Sequence, residues 1–445
     1  MQQRWSLNVE EFGKIKKAKI EISPLILFIG DNNSGKSYLM SLLWGLLTLG
    51  RDVFNYKMLK SDSYEQCDKW LADHIGKEVI INDEIQTMFI NLFNDLLNRN
   101  KKLIVNKIYN YPIEIKNMFI SDYERNSTLK IQWKEDAMRY SNTTTLIKFP
   151  YNKDEEVSSE ERSKMINYIC WKLVLDGLTT PLFPFNSKRK HDGSPIYLPA
   201  SRTGFMLTYK TLVQDAISRG FSLKIENEQY KSIFTLPVNY FLQDLVKLDH
   251  VDKSKYGHVG EYIEENLLQG KVLSEDLPVP NYTYRPKGLK KDMPLHITSS
   301  LVSELMPIIL FLKSSMKYNV MIIEEPEAHI HIKYQLLMAR AIIRLVNAGL
   351  PVWITTHSDT ILQQINNSIK LNNNPDKVRI MKEYNYEEED LLFEKDVRVY
   401  QFENIDERKT KIEKLEQTKM GFPADTFNDT LINLLNETAA FEGDE

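Results

Sequence analysis

Cysteine is scarce in this 445-residue chain, which contains only Cys67 and Cys170. Two cysteines so far apart provide neither the ligand spacing of a metal site nor the framework of a disulfide-stabilised secreted domain. Their scarcity favours a reducing, intracellular compartment.

Long apolar runs are also missing. The longest, such as residues 307–312, are far shorter than the roughly 20 residues that a membrane-spanning helix needs. The first residues, Met1 to Ser6, lead directly into a polar, strand-like segment without a secretory pattern. We therefore expect a cytoplasmic protein with no membrane partner.

An excess of positive charge is the third absence. The formal net charge is −4 and the isoelectric point is near 6.2, which argues against a surface built to coat nucleic acid. Basic residues do cluster in three places, at residues 14–17, 188–190 and 287–291. We interpret these clusters as solvated surface, and contact with a nucleic-acid phosphate backbone is the alternative that the sequence leaves open.

Both ends of the chain have the pattern of an α/β protein. Near the start, an unbroken apolar strand at residues 25–29 is followed by a helical pattern at residues 38–49. After Pro294, a helix at 300–316 precedes a strand–helix–strand pattern, which predicts a parallel sheet. The elements of that pattern are a strand at 320–323, a helix at 332–347 and a strand at 352–355.

The middle of the chain has a different character and is predicted to be an insertion. We expect residues 1–50 and 292–445 to form one head with a mixed sheet and flanking helices, and residues 51–291 to form an inserted β and helical lobe. The insertion has helical patterns, three strand-like stretches and no heptad repeat long enough for a coiled-coil arm. Its predicted helices lie at 83–98, 158–175, 238–248 and 261–268. Its predicted strands lie at 128–133 and 143–149, and a short strand that runs into a turn lies at 197–205.

Residues 30–37, GDNNSGKS, match the motif G-x-x-x-x-G-K-[ST] in full, between a buried strand and a helix. Glycines let the backbone wrap closely around a polyphosphate, and the N–H groups and helix dipole attract it. Lys36 is expected to reach the β- and γ-phosphates of ATP, and Ser37 to bind Mg²⁺. The expected nucleotide-binding residues of this loop are Gly30, Asn32, Asn33, Ser34, Gly35, Lys36 and Ser37.

A second apolar strand, at residues 320–323, ends in Glu324 and Glu325. Ligands of such folds bind at the carboxyl ends of parallel strands. Glu324 is expected to hold Mg²⁺ through water, and Glu325 to orient or deprotonate the water that attacks the γ-phosphate. Because many solvated loops also place acids after a strand, this interpretation depends on the phosphate-binding loop at residues 30–37, the P-loop.

Two further clusters complete the pattern. His357 follows the strand at 352–355 and is expected to contact the γ-phosphate as a catalytic residue. Ser299 and Ser300 open the helix before the acid-bearing strand. They are either plain helix N-cap residues or an ABC-type signature that meets the nucleotide bound by a second copy of the chain.

In this order, the P-loop, the serines, EEPEAHIH at 324–331 and TTHSD at 355–359 resemble the ABC/SMC-like P-loop ATPases of the RecF and OLD group. Residues 197–205 and 299–307 are most similar to stand-alone ATPases of bacterial anti-phage systems, of the PARIS (AriA-like) and Septu (PtuA-like) types. The resemblance implies an ABC-type ATPase head that uses ATP and Mg²⁺. It also implies a homodimer, or a higher oligomer, with ATP between two copies.

The sequence departs from the ABC pattern at two positions. Leu301 stands where the signature prefers glycine, and Glu324 stands on the magnesium side in place of aspartate. The resemblance places His329 and His331 in a loop that faces the partner copy, whereas their spacing alone also allows a weak metal pair. Arg202 is expected either to point toward phosphate or to form a surface salt bridge.

The residues after His357 contain an acidic run at 387–390, a strand at 397–402 and a helix at 425–437. We interpret the acidic run as a solvated loop. Full-length OLD proteins carry a Toprim nuclease after the ATPase, and its Asp-x-Asp strand is not found here, so a separate nuclease protein is the expected effector.

Three functions are therefore distinguished. The first is a sensor or scaffold ATPase of an anti-phage system that gates a separate nuclease. The alternative is a RecF-like DNA-repair clamp that closes on DNA, supported only by the basic clusters. The third, a nucleotide-binding scaffold with negligible turnover, is disfavoured by the pairing of Lys36 with Glu325.

Overall fold

A computed structural model describes residues 4–49, 61–125, 128–134, 141–142, 146–150, 152, 156–175, 178, 193–220, 233–249, 254–275, 277, 279–419, 421–423 and 425–442. The chain divides into two compact units. Unit 1 comprises Met1–Ile22 and Gly45–His191, and unit 2 comprises Ser23–Trp44 and Asp192–Glu445. These limits differ from the predicted domains, because residues 192–291 lie in unit 2 and residues 1–22 lie in unit 1.

The strands of the described residues are β1 (Arg4–Phe12), β2 (Ile15–Glu21), β3 (Leu25–Gly30), β4 (Val79–Ile80), β5 (Asn117–Glu124), β6 (Lys130–Lys134), β7 (Ser141–Asn142), β8 (Leu146–Pro150), β9 (Ser194–Leu198), β10 (Gly270–Glu275), β11 (Asn281–Pro286), β12 (Met293–Pro294), β13 (Tyr318–Glu324), β14 (Val352–Thr355), β15 (Val397–Asp406) and β16 (Lys409–Leu415). The α-helices are α1 (Lys36–Leu49), α2 (Asp62–His74), α3 (Asp83–Tyr109), α4 (Ser159–Cys170), α5 (Arg202–Gly220), α6 (Leu236–Lys247), α7 (Gly257–Ile263), α8 (Ser300–Leu312), α9 (Ile332–Asn347), α10 (Asp359–Asn372), α11 (Lys377–Tyr384) and α12 (Asp425–Glu442). Single π-helical turns, Trp171–Leu175 and Glu264–Leu268, extend α4 and α7.

Unit 1 contains an antiparallel sheet in the order β5-β1-β2 and a small sheet in the order β4-β6-β8-β7. Helix α3 protects the free edge of β5, because its amide side chains pair with the backbone there. Asn94 accepts from the N–H of Ile120 at 2.8 Å and donates to its carbonyl at 3.0 Å. Asn98 accepts from the N–H of Met118 at 3.0 Å. An edge paired in this way is closed to another strand.

Unit 2 contains a mixed sheet in the order β16-β15-β3-β14-β13-β9. All neighbouring pairs from β15 to β9 are parallel, and only β16 is antiparallel. All six residues of β3 are buried, as an unbroken apolar run predicts for a central parallel strand. The sheet and its flanking helices confirm the predicted mixed α/β fold.

Strand register brings the predicted motifs to one edge of this sheet. Phe28 of β3 lies beside Thr355 of β14, and Thr355 lies beside Glu324 of β13. The N–H of Thr356 also donates to the carbonyl of Phe28 at 2.9 Å. The three motif-bearing strands therefore end at the same level.

Several element limits differ from the predicted ones. Helix α3 continues to Tyr109 instead of ending at residue 98, because Ile104, Val105 and Ile108 extend its buried face. Strand β8 begins at Leu146, and residues 143–145 of the predicted strand lie outside the described residues. In the described part of the chain, every helix is too short or too polar to serve as a membrane span.

The interpretation of the acidic run at 387–390 as a solvated loop holds for the exposed Glu387, Glu388 and Glu389 but is wrong for Asp390. Asp390 is completely buried, and Arg344 of α9 contacts its carboxylate through Nε at 2.7 Å and Nη2 at 3.2 Å. The guanidinium also lies 4.0 Å from the centre of the Tyr262 ring. The run is a short 3₁₀ turn anchored to a distant helix, which its composition does not reveal.

The three basic clusters fall on different surroundings. Residues 14–17 span the turn into β2 and its start, and residues 287–291 form the exposed turn between β11 and β12. Residues 188–190 lie outside the described residues.

Candidate functional site

The loop between β3 and α1 has the backbone geometry that its glycines permit. Gly30 has a φ of +112° and Gly35 a φ of +93°, values that residues with a side chain rarely adopt. A Cβ on Gly30 would also collide with the carbonyl oxygen of Phe402. Glycine is therefore required at Gly30 by both conformation and space.

Lys36 is the buried cation of this loop. Its side chain is 6% exposed, and its ammonium donates to the carbonyls of Gly30 at 2.9 Å and Asp31 at 2.6 Å. Burial lowers the pKa of Lys36 to about 8, against the attraction of Glu325 and then of Asp31 and Glu327. The direct hydrogen-bond acceptors of the ammonium are neutral carbonyls, so an incoming anion meets a charge that they do not neutralise.

Strand β15 braces the loop from outside the motif. The N–H of Asp31 donates to the Phe402 carbonyl at 3.0 Å, and the Asp31 carboxylate accepts from the N–H of Asn404 at 2.8 Å. The Asn404 side chain donates to the carbonyl of Asn32 at 2.9 Å, while Ser34 donates to the carbonyl of Asp31 at 2.7 Å. Sequence reasoning missed Asn404, because nothing in its local pattern marks it.

The remaining loop residues lie on the solvent side. Asn32, Asn33 and Ser37 are exposed. Asn33 has a left-handed φ of +57°. The hydroxyl of Ser37 is thus accessible at the beginning of α1, where the first N–H groups of the helix lack intrahelical partners.

Glu324 is a buried carboxylate with both oxygens positioned. The Tyr197 hydroxyl donates to one oxygen at 2.7 Å, and the N–H of Ala200 donates to the other at 3.1 Å. Ser41 of α1 lies 3.0 Å from the Tyr197 hydroxyl and must donate to it, because that hydroxyl uses its proton on Glu324. Each carboxylate oxygen keeps a lone pair for a further ligand.

Glu325 has an uncommon backbone. Its φ is +44°, in the left-handed region that non-glycine residues rarely occupy. Its N–H donates to the Thr355 carbonyl at 2.8 Å, and its own carbonyl accepts from Arg202 at 3.0 Å. The carboxylate interacts electrostatically with Lys36. The structure therefore brings the P-loop lysine and this acid to the same site.

Arg202 corrects the expectation of a phosphate contact or a surface salt bridge. Its side chain is completely buried and forms an ion pair with Glu304, which is also completely buried, at 3.1 Å. It also donates to the carbonyls of Pro199 at 3.0 Å and Glu324 at 2.5 Å. Arg202 is thus a buried structural residue that holds the main chain next to the two acids.

His357 lies beside the P-loop. Its main-chain N–H donates to the Glu327 carboxylate at 2.6 Å, and burial raises the pKa of Glu327. Burial and then the Lys36 ammonium lower the pKa of His357, against a backbone contact with Gly30. Both effects disfavour the charged form of the imidazole. Sequence reasoning missed Glu327, although it lies in the same acidic motif.

The signature-like serines lie at the exposed start of α8. Ser299 occupies the N-cap position, but its side chain makes no capping hydrogen bond, and the carbonyl of Ser300 accepts from the Thr203 hydroxyl at 3.4 Å. Both serines are exposed. A capping role is therefore not what their hydroxyls perform here.

The histidine pair is divided between two local roles. His329 is exposed with a left-handed φ of +58°, and His331 caps α9 by accepting from the N–H of Lys333 at 3.2 Å. Among the described residues, no group of three or more histidine, cysteine, aspartate or glutamate side chains could hold a metal ion. The chemistry of Ser37 and Glu324 does fit Mg²⁺, which prefers oxygen ligands and keeps several waters.

Similar solved structures are heads of SMC proteins. One is an Smc head bound to the C-winged helix domain of ScpA, with 12% identity, a TM-score of 0.38 and coverage of 92% of this chain and 97% of that one. A second is an Smc head with an extended coiled coil bound to the C-terminal domain of ScpA from Pyrococcus furiosus, with 10% identity, a TM-score of 0.37 and coverage of 99% and 100%. A third is the SMC head domain from Thermotoga maritima, with 11% identity, a TM-score of 0.36 and coverage of 94% and 100%.

No curated protein sequence matches this chain. The family model described as AAA ATPase domain matches residues 5–174 and 210–362, which is most of the chain and includes the P-loop, the paired acids and His357. The chain belongs to this AAA ATPase domain family, AAA_15.

Proposed function

We propose that the protein binds ATP with Mg²⁺ at the carboxyl edge of the unit 2 sheet and hydrolyses it. The observation that carries this proposal is the strand register that ends β3, β14 and β13 at the same level, where the P-loop with its buried Lys36 follows β3 and Glu325 follows β13. A buried cation in a glycine-containing loop at a helix start is suited to a polyphosphate. The nearby carboxylate is suited to the attacking water.

The residues divide the chemistry among them. Lys36 and the N–H groups of residues 30–37 hold the phosphates, with Asn32 and Asn33 on the open side of the loop. Ser37 and Glu324 hold Mg²⁺, Glu324 through water; the bound metal would offset the charge of the β- and γ-phosphates. Glu325 orients the attacking water and accepts its proton. His357 contacts the γ-phosphate.

A pair of variants tests this assignment. Glu325→Gln is expected to bind ATP normally and to lose about 10²–10⁴-fold in hydrolysis rate, because the general base is gone. Lys36→Ala is expected to lose nucleotide affinity instead. Calorimetric ATP binding and phosphate release separate the two effects, and normal turnover by Glu325→Gln contradicts the role of Glu325.

We also propose that two copies close on ATP, as a homodimer or within a higher oligomer. The support is the position of Ser299 and Ser300, whose hydroxyls are exposed at a helix start and do not cap it. In the closed dimer they meet the γ-phosphate bound by the other copy.

At the level of physiology, we propose a cytoplasmic sensor or scaffold ATPase of an anti-phage system that gates a separate nuclease. Helix α12 supports a protein partner. Its Ile432, Leu434, Leu435 and Phe441 are 52–78% exposed, and the helix carries four acidic and no basic residues. Two such helices repel each other, whereas a nuclease, which needs basic surface for nucleic acid, complements them.

Charge placed on the apolar positions tests this partner. Leu434→Glu with Leu435→Glu is expected to abolish co-purification with the proposed nuclease, expressed together with this chain from the neighbouring genes, and to abolish phage protection. The matched control, Asn433→Glu with Asn436→Glu, adds the same charge at polar positions of the helix and keeps both. Equal capture by the two variants removes α12 as the docking element.

A further inference from the structure

The backbone of Glu325 needs external support. A non-glycine residue in the left-handed region costs about 1–2 kcal/mol and persists where its surroundings over-determine it. At Glu325, with a φ of +44°, two groups provide that support. The carbonyl of Thr355 accepts from its N–H at 2.8 Å, and Arg202 donates to its carbonyl at 3.0 Å.

Arg202 holds both acidic residues through their carbonyls. Its Nη1 contacts the carbonyl of Glu324 at 2.5 Å, and its Nη2 contacts that of Glu325 at 3.0 Å. The guanidinium is planar and presents its donors in a fixed fork. The two consecutive carbonyls are therefore held in one orientation relative to each other.

Glu304 fixes Arg202 in turn, and it belongs to α8. Its carboxylate lies 3.1 Å from Arg202 Nε and accepts from the N–H of Thr203 at 2.9 Å. Its main-chain carbonyl also accepts from Arg202 Nε at 3.1 Å. Buried ion pairs stabilise proteins little beyond what a well-packed apolar pair would, so positioning is the better account of this one.

Glu304 lies one helical turn after Ser300, the exposed first residue of α8. The carbonyl of Ser300 accepts from the Thr203 hydroxyl at 3.4 Å. Thr203, which follows Arg202 in the chain, therefore contacts the start of α8. Residues 302–312 of α8 are all buried, so Glu304 lies in the packed part of the helix, directly after its exposed start.

We propose that Arg202 and Glu304 form a buried link that sets the Glu325 backbone according to the position of the α8 start. The link rests on the proposed function, in which that helix start meets the nucleotide held by the second copy. Arg202 and Glu304 are positioning residues: they touch neither nucleotide nor water. Through them, hydrolysis depends on contact with the partner.

Glu304→Gln in the full chain tests the link. It keeps the size of the side chain and the acceptor for the Thr203 N–H but removes the negative charge beside Arg202. We expect an ATP affinity within about twofold of wild type and a kcat lower by about 10- to 100-fold, because small misplacements of a catalytic group have effects of that size. Arg202→Lys keeps the charge, loses the fork and is expected to act in the same direction.

The other end of α8 offers a matched control. Lys313, which ends the helix, forms a buried ion pair with Glu264 that does not reach the acids. Glu264→Gln is expected to lower the melting temperature as much as Glu304→Gln, because both remove a charge from a buried ion pair. It is expected to keep kcat within about twofold, because Glu264 is not linked to the acids. Equal loss of kcat in both variants overturns the link.

A double variant covers the case in which Glu304→Gln does not fold. Arg202→Gln with Glu304→Gln replaces the charged pair by a neutral one that still offers hydrogen-bond donors to the carbonyls and an acceptor to the Thr203 N–H, and it is expected to retain a folded chain. A folded double variant with wild-type kcat overturns the link, and one with low kcat and normal ATP affinity supports it. A wild type that does not hydrolyse ATP overturns the proposed function itself, whereas active wild type with active Glu304→Gln overturns only the link.

Discussion

At the scale of single residues, Lys36 is expected to couple the proposed nucleotide binding to pH. In the free protein its pKa is lowered to about 8 by burial, and bound phosphates are expected to raise it again. Above pH 8 the free lysine is increasingly neutral and must take up a proton when ATP binds. Affinity is therefore expected to fall as pH rises from 8 to 10, by up to about tenfold per unit.

Calorimetry at pH 7, 8, 9 and 10 measures this dependence, and proton uptake is read from the difference between buffers of different ionisation enthalpy. Lys36→Met is the control and is expected to bind weakly with no such slope. A wild-type affinity that stays constant up to pH 10 means that the ammonium keeps its ordinary pKa in the folded protein.

The strain at Glu325 makes a separate prediction about stability. Glycine normally destabilises a regular segment relative to alanine by about 0.5–1 kcal/mol. At a φ of +44° the order is expected to reverse, so that Glu325→Gly unfolds with a free energy about 1 kcal/mol higher than Glu325→Ala. Urea denaturation compares the two, both of which lack the carboxylate. An alanine variant that is equally stable shows that the residue relaxes without cost.

The motif residues could be read from the sequence because each motif is local. The glycines, Lys36 and the paired acids lie within short stretches whose spacing reflects the chemistry of phosphate and Mg²⁺. Arg202 could not be assigned in this way, since Glu304 is 102 residues away along the chain. The same holds for Asn404, which contacts the P-loop across 372 residues.

At the scale of elements, unbroken apolar runs predicted the central parallel strands correctly. The neighbour of each strand was harder to predict. Strand β9 pairs in parallel with β13, although the sequence assigned the residues of β9 to the insertion. Local pattern gives an element's type and face but not its neighbour, because pairing depends on the packing of both faces. The π-helical turn Trp171–Leu175 was likewise predicted only as continuous helix.

Arg344 provides a test of how α9 holds the 3₁₀ turn Glu388–Asp390. Arg344→Met leaves the buried Asp390 carboxylate without its bidentate partner, and removing one member of such a pair costs about 3–5 kcal/mol. The measurement is the free energy of unfolding in urea.

The exposed neighbours of Asp390 supply the control. Arg344 also contacts Glu389 at 3.6 Å, but the Glu389 side chain is 56% exposed. Glu389→Gln is therefore expected to change stability by less than about 1 kcal/mol. If Arg344→Met is as mild as this control, Asp390 is satisfied by other groups and the turn does not depend on α9.

At the scale of the whole molecule, composition predicted the class of protein but not how the chain divides into compact units. The sequence predicted a head made from both chain ends, whereas the contacts place the first 22 residues with Gly45–His191. The reason is that β1 pairs with β5, a strand of the predicted insertion. Long-range pairing of this kind has no local sequence signal.

The proposed closed dimer predicts a mass change that depends on nucleotide. Glu325→Gln is expected to be trapped as a dimer by Mg-ATP, because it binds ATP without consuming it, and to remain open with ADP. Size-exclusion chromatography with light scattering measures the mass.

Adding Ser300→Glu is expected to prevent the dimer by repelling the γ-phosphate of the other copy, while each copy still binds ATP at its own P-loop. Leu289→Glu places the same charge at another exposed position and is expected to leave the dimer intact. If the Ser300→Glu chain dimerises as well as this control, the start of α8 does not contact the nucleotide of the other copy, and the serines have no role in the dimer.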